Sequence, residues 1–226
     1  MTMQTALSIS RRGFTRGLAV CGALVLLAAA AARPTGAAET ADPAQFVRDF
    51  SDQALTVLAD TGLAGETRER AFRGLLTAGF DVKTIGRFVL GRYWRRATEA
   101  ERDEFGRLFE DLIVATYTRQ FASYSGQTLK VEDARQRDDK SALVASRIVR
   151  AEGEAILIDW RLLRRGQSWR IVDVVVQGMS MALSQRSEYA AVIKSSGGRV
   201  EGLLVKLREK TARLTSGSVQ KADSTE

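Results

Sequence analysis

The stretch Ile156-Leu157-Ile158-Asp159-Trp160-Arg161-Leu162-Leu163, followed after Arg165-Gly166-Gln167 by Trp169-Arg170-Ile171-Val172-Asp173-Val174-Val175-Val176, decides the fold. Its apolar residues alternate with period two, the repeat of a strand and not of a helix. Ile156, Ile158, Trp160 and Leu162 share one face, with Leu157, Asp159 and Arg161 opposite. By the same parity Val172, Val174 and Val176 share a face, with Trp169, Ile171, Asp173 and Val175 behind them. A loop this short makes the two strands a hairpin.

Upstream, the pattern continues over 127–135 and 141–151, bounded by Arg137-Asp138-Asp139-Lys140 and Glu152-Gly153. With 154–164 and 168–177 this predicts a four-stranded antiparallel meander that ends at Gly178. Helical spacing flanks it on both sides. Asp42-Pro43 is a capping residue followed by a preset φ, and Phe46, Val47, Phe50, Ala54, Val57 and Leu58 recur after it as an apolar stripe. Further helices are expected over about 66–78, about 81–93, from Thr98, and over about 181–194 and 198–214. Thr98-Glu99-Ala100-Glu101 is a capping box, and the helix it opens is expected to be the longest, with a stripe of Phe105, Leu108, Phe109, Leu112, Ile113, Thr116, Tyr117 and Phe121. Helices, a meander and helices again make an α+β domain with helices covering one face of the sheet.

Composition removes much chemistry. The 226 residues include one Cys, two Pro and no His, so Ser-His-Asp triads, Cys-His dyads and HExxH zinc sites are excluded. The net charge of +7 is uneven: residues 1–38 hold Arg11, Arg12, Arg16 and Arg33 and no acidic group, which leaves 30 basic against 27 acidic residues elsewhere. No basic run with interleaved aromatics occurs in the body, which argues against a nucleic-acid partner.

Residues 1–38 read as an export signal, with a basic region, an apolar run over Leu18–Ala32 and small residues at Gly36, Ala37 and Ala38. Ser10-Arg11-Arg12-Gly13-Phe14 resembles the twin-arginine type, the alternative being a general secretory signal. Leu18-Ala19-Val20-Cys21 is a poor lipoprotein box, because Val20 is large and the apolar run continues past the Cys. The expected organisation is a signal peptide over 1–38, an α+β domain over 39–214 and a mobile polar tail over 215–226.

Phe80-Asp81, the run Ile85-Gly86-Arg87-Phe88-Val89-Leu90-Gly91-Arg92-Tyr93-Trp94, and Phe105, Phe109 and Tyr117 at their spacings resemble one family. Ile158-Asp159-Trp160-Arg161-Leu162, Trp169-Arg170-Ile171-Val172-Asp173-Val174, Gly178-Met179-Ser180 and Arg186 extend the likeness, in order, across about residues 43–212. The family is MlaC, the toluene-tolerance auxiliary or periplasmic phospholipid-binding family. The resemblance implies a periplasmic, monomeric carrier without cofactor that moves one phospholipid between the outer membrane and an inner-membrane ABC transporter complex, with an outer-membrane lipoprotein complex as the other partner. A hopanoid-type polycyclic lipid is the alternative cargo. It further implies a curved sheet and helices enclosing an apolar pocket. The expected lining is Ile148, Ile156, Ile158, Trp160, Val172, Val174 and Val176 from the sheet, with Phe88, Val89, Phe109, Leu112, Ile113 and Tyr117 from the helices.

Two polar sets stand out. Arg87, Arg92, Arg95 and Arg96 crowd a Tyr-Trp pair, a pattern suited to a lipid headgroup, to partner docking, or simply to a solvated helix end. Asp159 and Asp173 sit in apolar strands, so a small-molecule enzyme with one of them as general base is the competing function. By parity both fall opposite the uniformly apolar face, where partnership with Arg161, Arg186 or a backbone amide is expected instead.

Overall fold

The structure, a computed structural model, describes residues 42–60, 62–63, 65–120, 128–150 and 153–223. The signal-peptide reading, Phe121 and the last three residues of the polar tail lie outside them. The chain runs through α1 (Pro43–Ala59), α2 (Gly65–Gly79), α3 (Val82–Leu90), a 3₁₀ turn (Gly91–Arg95) and α4 (Glu99–Gln120). Five strands follow: β1 (Thr128–Asp138), β2 (Ser141–Val149), β3 (Ile156–Arg165), β4 (Ser168–Val176) and β5 (Met179–Ser180). Then come α5 (Met181–Ser195) and α6 (Val200–Asp223).

Local chemistry sets the helix starts. Asp42 accepts from the amides of Ala44 and Gln45 at 3.0 and 3.3 Å. In the capping box Glu101 accepts from the Thr98 amide at 2.8 Å while Thr98 Oγ1 accepts from the Glu101 amide at 3.2 Å. The helix read as 81–93 ends sooner, at Leu90, because Gly91 takes a φ of 53° and returns its amide to the carbonyls of Arg87 and Phe88. Among the described residues the longest helix is α6, with 24 residues against 22 in α4, and it runs on through the expected tail to Asp223.

The sheet is antiparallel in the order β1-β2-β3-β4-β5. It has five strands where four were expected. Gln177 and Gly178 both adopt positive φ, 49° and 79°, the geometry of a tight hairpin turn, so Met179 and Ser180 fold back onto Val176 and Val175. Gly178 therefore reverses the sheet instead of ending it. Two residues are too few to display alternation, which is why the sequence pattern gave no sign of β5.

The second correction concerns faces. Register pairs Arg161 with Asp173 but Leu162 with Ile171, leaving Val172 as the extra residue of a bulge. Every β4 side chain before the bulge changes face relative to simple parity. Trp169 and Ile171 thus join Leu162 on the buried face, and Val172 leaves it. Similar irregularities occur in β1 between Val131 and Asp133 and between Gln136 and Asp138.

The described residues form two apolar clusters. One lies on the sheet, where Val47 of α1 packs with Ala142, Val144, Ile158, Trp160, Leu162, Trp169 and Ile171. The other lies among the helices, joining α3, α4, α5 and α6 through Val89, Phe105, Phe109, Tyr189, Leu203 and Leu204 among others. The junction between α2 and α3 ties the layers, since the Asp81 amide donates to the Ile171 carbonyl at 2.9 Å.

Candidate functional site

Around Trp160 the buried sheet face carries no charge, and Arg164 lies toward the far end of β3, 5.5 Å over the Trp169 ring. Register aligns Ile148 with Ile156, Ser146 with Ile158 and Val176, and Val144 with Trp160 and Val174. Trp160 stands at the centre, and its polar edge is satisfied: Nε1 donates to Ser146 Oγ at 2.9 Å, which donates to the Ile158 carbonyl at 3.0 Å. Across from it, Phe50 of α1 meets Trp160 edge-on at 6.1 Å and Phe80 at 5.6 Å. Phe46, Phe50, Phe80, Leu129, Val131, Ile148, Ile156 and Val174 are only partly buried around this core. An uncharged, half-covered apolar margin is a surface able to accept hydrocarbon.

Of the expected lining residues, Ile148, Ile156, Ile158, Trp160, Val174 and Val176 share this face. Val172 does not. It borders, with Leu143, Leu163, Val175, Asp159, Arg161 and Arg137, a cleft of about 300 Å³ on the other side of the sheet. The helix residues form no part of the sheet-side cluster. Val89, Phe109 and Leu112 are buried in the helical cluster, and Ile113 packs against it. Tyr117 stacks on Phe72 of α2 with ring centres 6.4 Å apart, and Phe88 stays 39% exposed. A four-helix layer needs apolar stripes of its own, and those stripes look the same in sequence as a pocket wall. Phe46, Phe50, Phe80 and Ser146 were not singled out as site residues, although Phe46 and Phe50 stood in a stripe whose partner only the fold reveals.

The two carboxylates are separated by their surroundings. Asp173 is buried and accepts from Arg161 Nη1 at 3.0 Å, Ser180 Oγ at 2.7 Å and the Ala182 amide at 3.0 Å. Both oxygens are engaged in holding the start of α5. Asp159 is partly buried in the cleft that Arg161 also lines. Among the described residues no cluster of three or more Asp, Glu, Cys or His is placed to hold a metal ion. Burial pushes the Tyr117 hydroxyl up, and burial, then the nearby Glu188 charge, push the Tyr189 hydroxyl far up, so both phenols stay neutral.

The arginines gather on aromatic faces. Arg92 lies 5.0 Å over the Tyr93 ring and donates to its hydroxyl at 3.0 Å, with Arg96 5.9 Å from the same ring. Arg87 and Arg95 are exposed. Arg186 of α5 joins them, 5.1 Å over the Phe88 ring.

A sequence model of the MlaC protein family matches residues 48–209. This chain belongs to the MlaC family. It is 24% identical over 137 residues to the intermembrane phospholipid transport system binding protein MlaC of Haemophilus influenzae Rd, covering 59% of this chain and 63% of that one. It is 24% identical over 132 residues to the toluene tolerance protein ttg2D of Pseudomonas putida, covering 58% and 61%. The matched segment thus spans under two thirds of the length of either relative. Among solved structures, a phospholipid-binding protein of Ralstonia solanacearum in complex with a phospholipid superposes with a TM-score of 0.68 at 26% identity, over 77% of this chain and 99% of that one. The α+β architecture of this MlaC family member is therefore that of a protein solved with lipid bound. No helix among its described residues is long and apolar enough to cross a membrane.

Proposed function

We propose that the chain is a periplasmic, monomeric carrier that takes one diacyl phospholipid between the outer membrane and an inner-membrane ABC transporter, and that it transforms nothing. Residues 1–38 serve as the export signal, of the twin-arginine type. The observation that carries this reading is the uncharged sheet face around Ile158 and Trp160 with its half-covered apolar margin, in a fold that a phospholipid-bound relative shares.

The energetics favour a container over a catalyst. Two acyl chains of about 15 methylenes each, at about 0.8 kcal/mol per methylene, represent on the order of 24 kcal/mol of transfer from water. A carrier needs a lining about as apolar as a bilayer and no more, since tighter binding stalls delivery. We assign the lining to Ile148, Ile156, Ile158, Trp160, Val174 and Val176, and the opposing wall to Phe46, Phe50 and Phe80, which separate from the sheet as chains enter. The phosphate stays at the margin, where water screens it.

Native mass spectrometry of protein expressed with its signal tests this. A mass increment of a diacyl phospholipid, lost on detergent washing, is expected. A hopanoid-sized increment redirects the cargo, and a lipid-free protein whose solvent extract contains no fatty material ends the reading.

A further inference from the structure

The corner built by α3, the 3₁₀ turn and α5 is a second surface with a different chemistry. Phe88 is 39% exposed and Leu183 49% exposed, large apolar side chains left in water. Leu183 and Arg186, three residues apart on α5, lie on one side of that helix. The Arg186 guanidinium rests over the Phe88 ring at 5.1 Å, and its Nε lies 2.8 Å from where a Cβ on Gly91 would stand. Gly91 therefore leaves the space that the Arg186 guanidinium occupies, and no larger residue fits there without moving it. Arg92 and Arg96 lie over the Tyr93 ring at 5.0 and 5.9 Å.

None of Arg87, Arg92, Arg95, Arg96 and Arg186 pairs with a carboxylate among the described residues. The contrast is with Arg73, Arg161, Arg165 and Arg208, each of which has its acid. Guanidinium groups held over rings with N–H donors unspent on any acid are preorganised for carboxylate forks. An exposed Phe among several Arg has the aromatic and arginine enrichment of protein–protein interfaces.

We infer that this corner docks an acidic segment of a partner protein, with Phe88 and Leu183 as its apolar centre and Arg92, Arg96 and Arg186 as its carboxylate clamps. The inference rests on the carrier reading only for the existence of a partner. A lipid headgroup suits the surface less well, because the corner belongs to the helical cluster, which shares no residue with the sheet-side layer.

The test places a photo-crosslinking amino acid at Leu183 in the full chain, exported in its own host, and sequences the crosslinked peptide. A protein segment carrying several Asp or Glu residues is expected. A synthetic peptide of that segment then binds purified protein, and binding weakens about tenfold or more with its acids changed to Asn and Gln, or with Arg92→Glu/Arg186→Glu on the carrier. Arg87→Glu/Arg95→Glu, at two exposed positions of the same corner, serves if the first pair does not fold; Arg135→Glu on β1 is the unaffected control. Crosslinks confined to lipid, a captured segment without acids, or charge reversal that leaves peptide binding unchanged each overturn the inference. Lipid content measured on the same samples separates the two readings: cargo retained with peptide binding lost supports the corner alone, and peptide binding without cargo overturns only the carrier.

Discussion

Arg161 and Asp173 face each other across β3 and β4, 3.0 Å apart, at the last register pair before the Val172 bulge. They do not contribute equally, because Asp173 is 7% exposed and Arg161 52%. Asp173 also accepts from Ser180 and the Ala182 amide, so Asp173→Ala strands a buried N–H and the hydroxyl donor that caps α5. We expect it to cost about 3 kcal/mol, while Arg161→Ala costs less than about 1 kcal/mol. Urea unfolding of the two variants checks the ratio. Equal losses would mean that the ion pair, not the helix anchor, is what matters.

Asp81 gives the fold an acid-sensitive joint. Burial pushes its carboxyl up, but hydrogen bonds from the Thr84 hydroxyl and amide and from Arg165 outweigh burial and hold it below the usual carboxylate range. A depressed carboxylate stabilises the fold above its unfolded value of about 3.9, and that contribution disappears as pH falls through the lower folded value. Asn still caps a helix, so Asp81→Asn isolates the ionic part. The wild type is expected to exceed it by about 1 kcal/mol at pH 7, a modest gap because Arg165 is half exposed. The gap closes between about pH 5 and pH 2 in acid titrations followed by circular dichroism. A gap that persists at pH 2 refutes the linkage.

How far the fold was legible depends on whether each feature leaves a periodic or chemical mark. The Thr98–Glu101 box and the Asp42 cap formed as read, because each joins a donor and an acceptor within three residues. Strands β2, β3 and β4 were legible from alternation. The Val172 bulge was not, since Trp169, Ile171, Val172 and Val174 are all apolar and give both faces of β4 the same signal. Which helix packs on the sheet was not legible for a related reason: Phe109 and Phe50 occupy similar stripes, and only the packing assigns one to the helical layer and the other to the sheet.

Val174 lies beside Trp160 on the uncharged face and is only partly buried. Val174→Trp fills the space assigned to acyl chains while meeting fewer fixed neighbours than the same change at Ile158, which is buried. The expected outcome is a several-fold lower molar ratio of co-purified phospholipid, with stability reduced by no more than about 2 kcal/mol. Ile158→Trp should lose both. If Val174→Trp keeps its full complement of lipid, the cargo lies elsewhere.

Two glycines of α2 make opposite predictions within one helix. A Cβ on Gly79 would run into the Phe50 ring at Cε2 and Cδ2, whereas one on Gly74 meets nothing within 4 Å. Helix propensity alone favours Ala at both, by up to about 1 kcal/mol. At Gly79 the clash decides, because the Phe50 ring already meets Phe80 and Trp160 edge-on and must give up one of those contacts to make room. Gly79→Ala should therefore destabilise by about 1–3 kcal/mol, and Gly74→Ala should stabilise by up to about 1 kcal/mol. Shortening the obstacle with Phe50→Leu should recover part of the Gly79→Ala loss, a non-additivity that independent sites would not display. Urea midpoints of the four proteins decide it. Gly79→Ala and Gly74→Ala moving in the same direction would show that α1 does not press on the end of α2 as described, and the wall opposite Trp160 would have to be drawn from other residues.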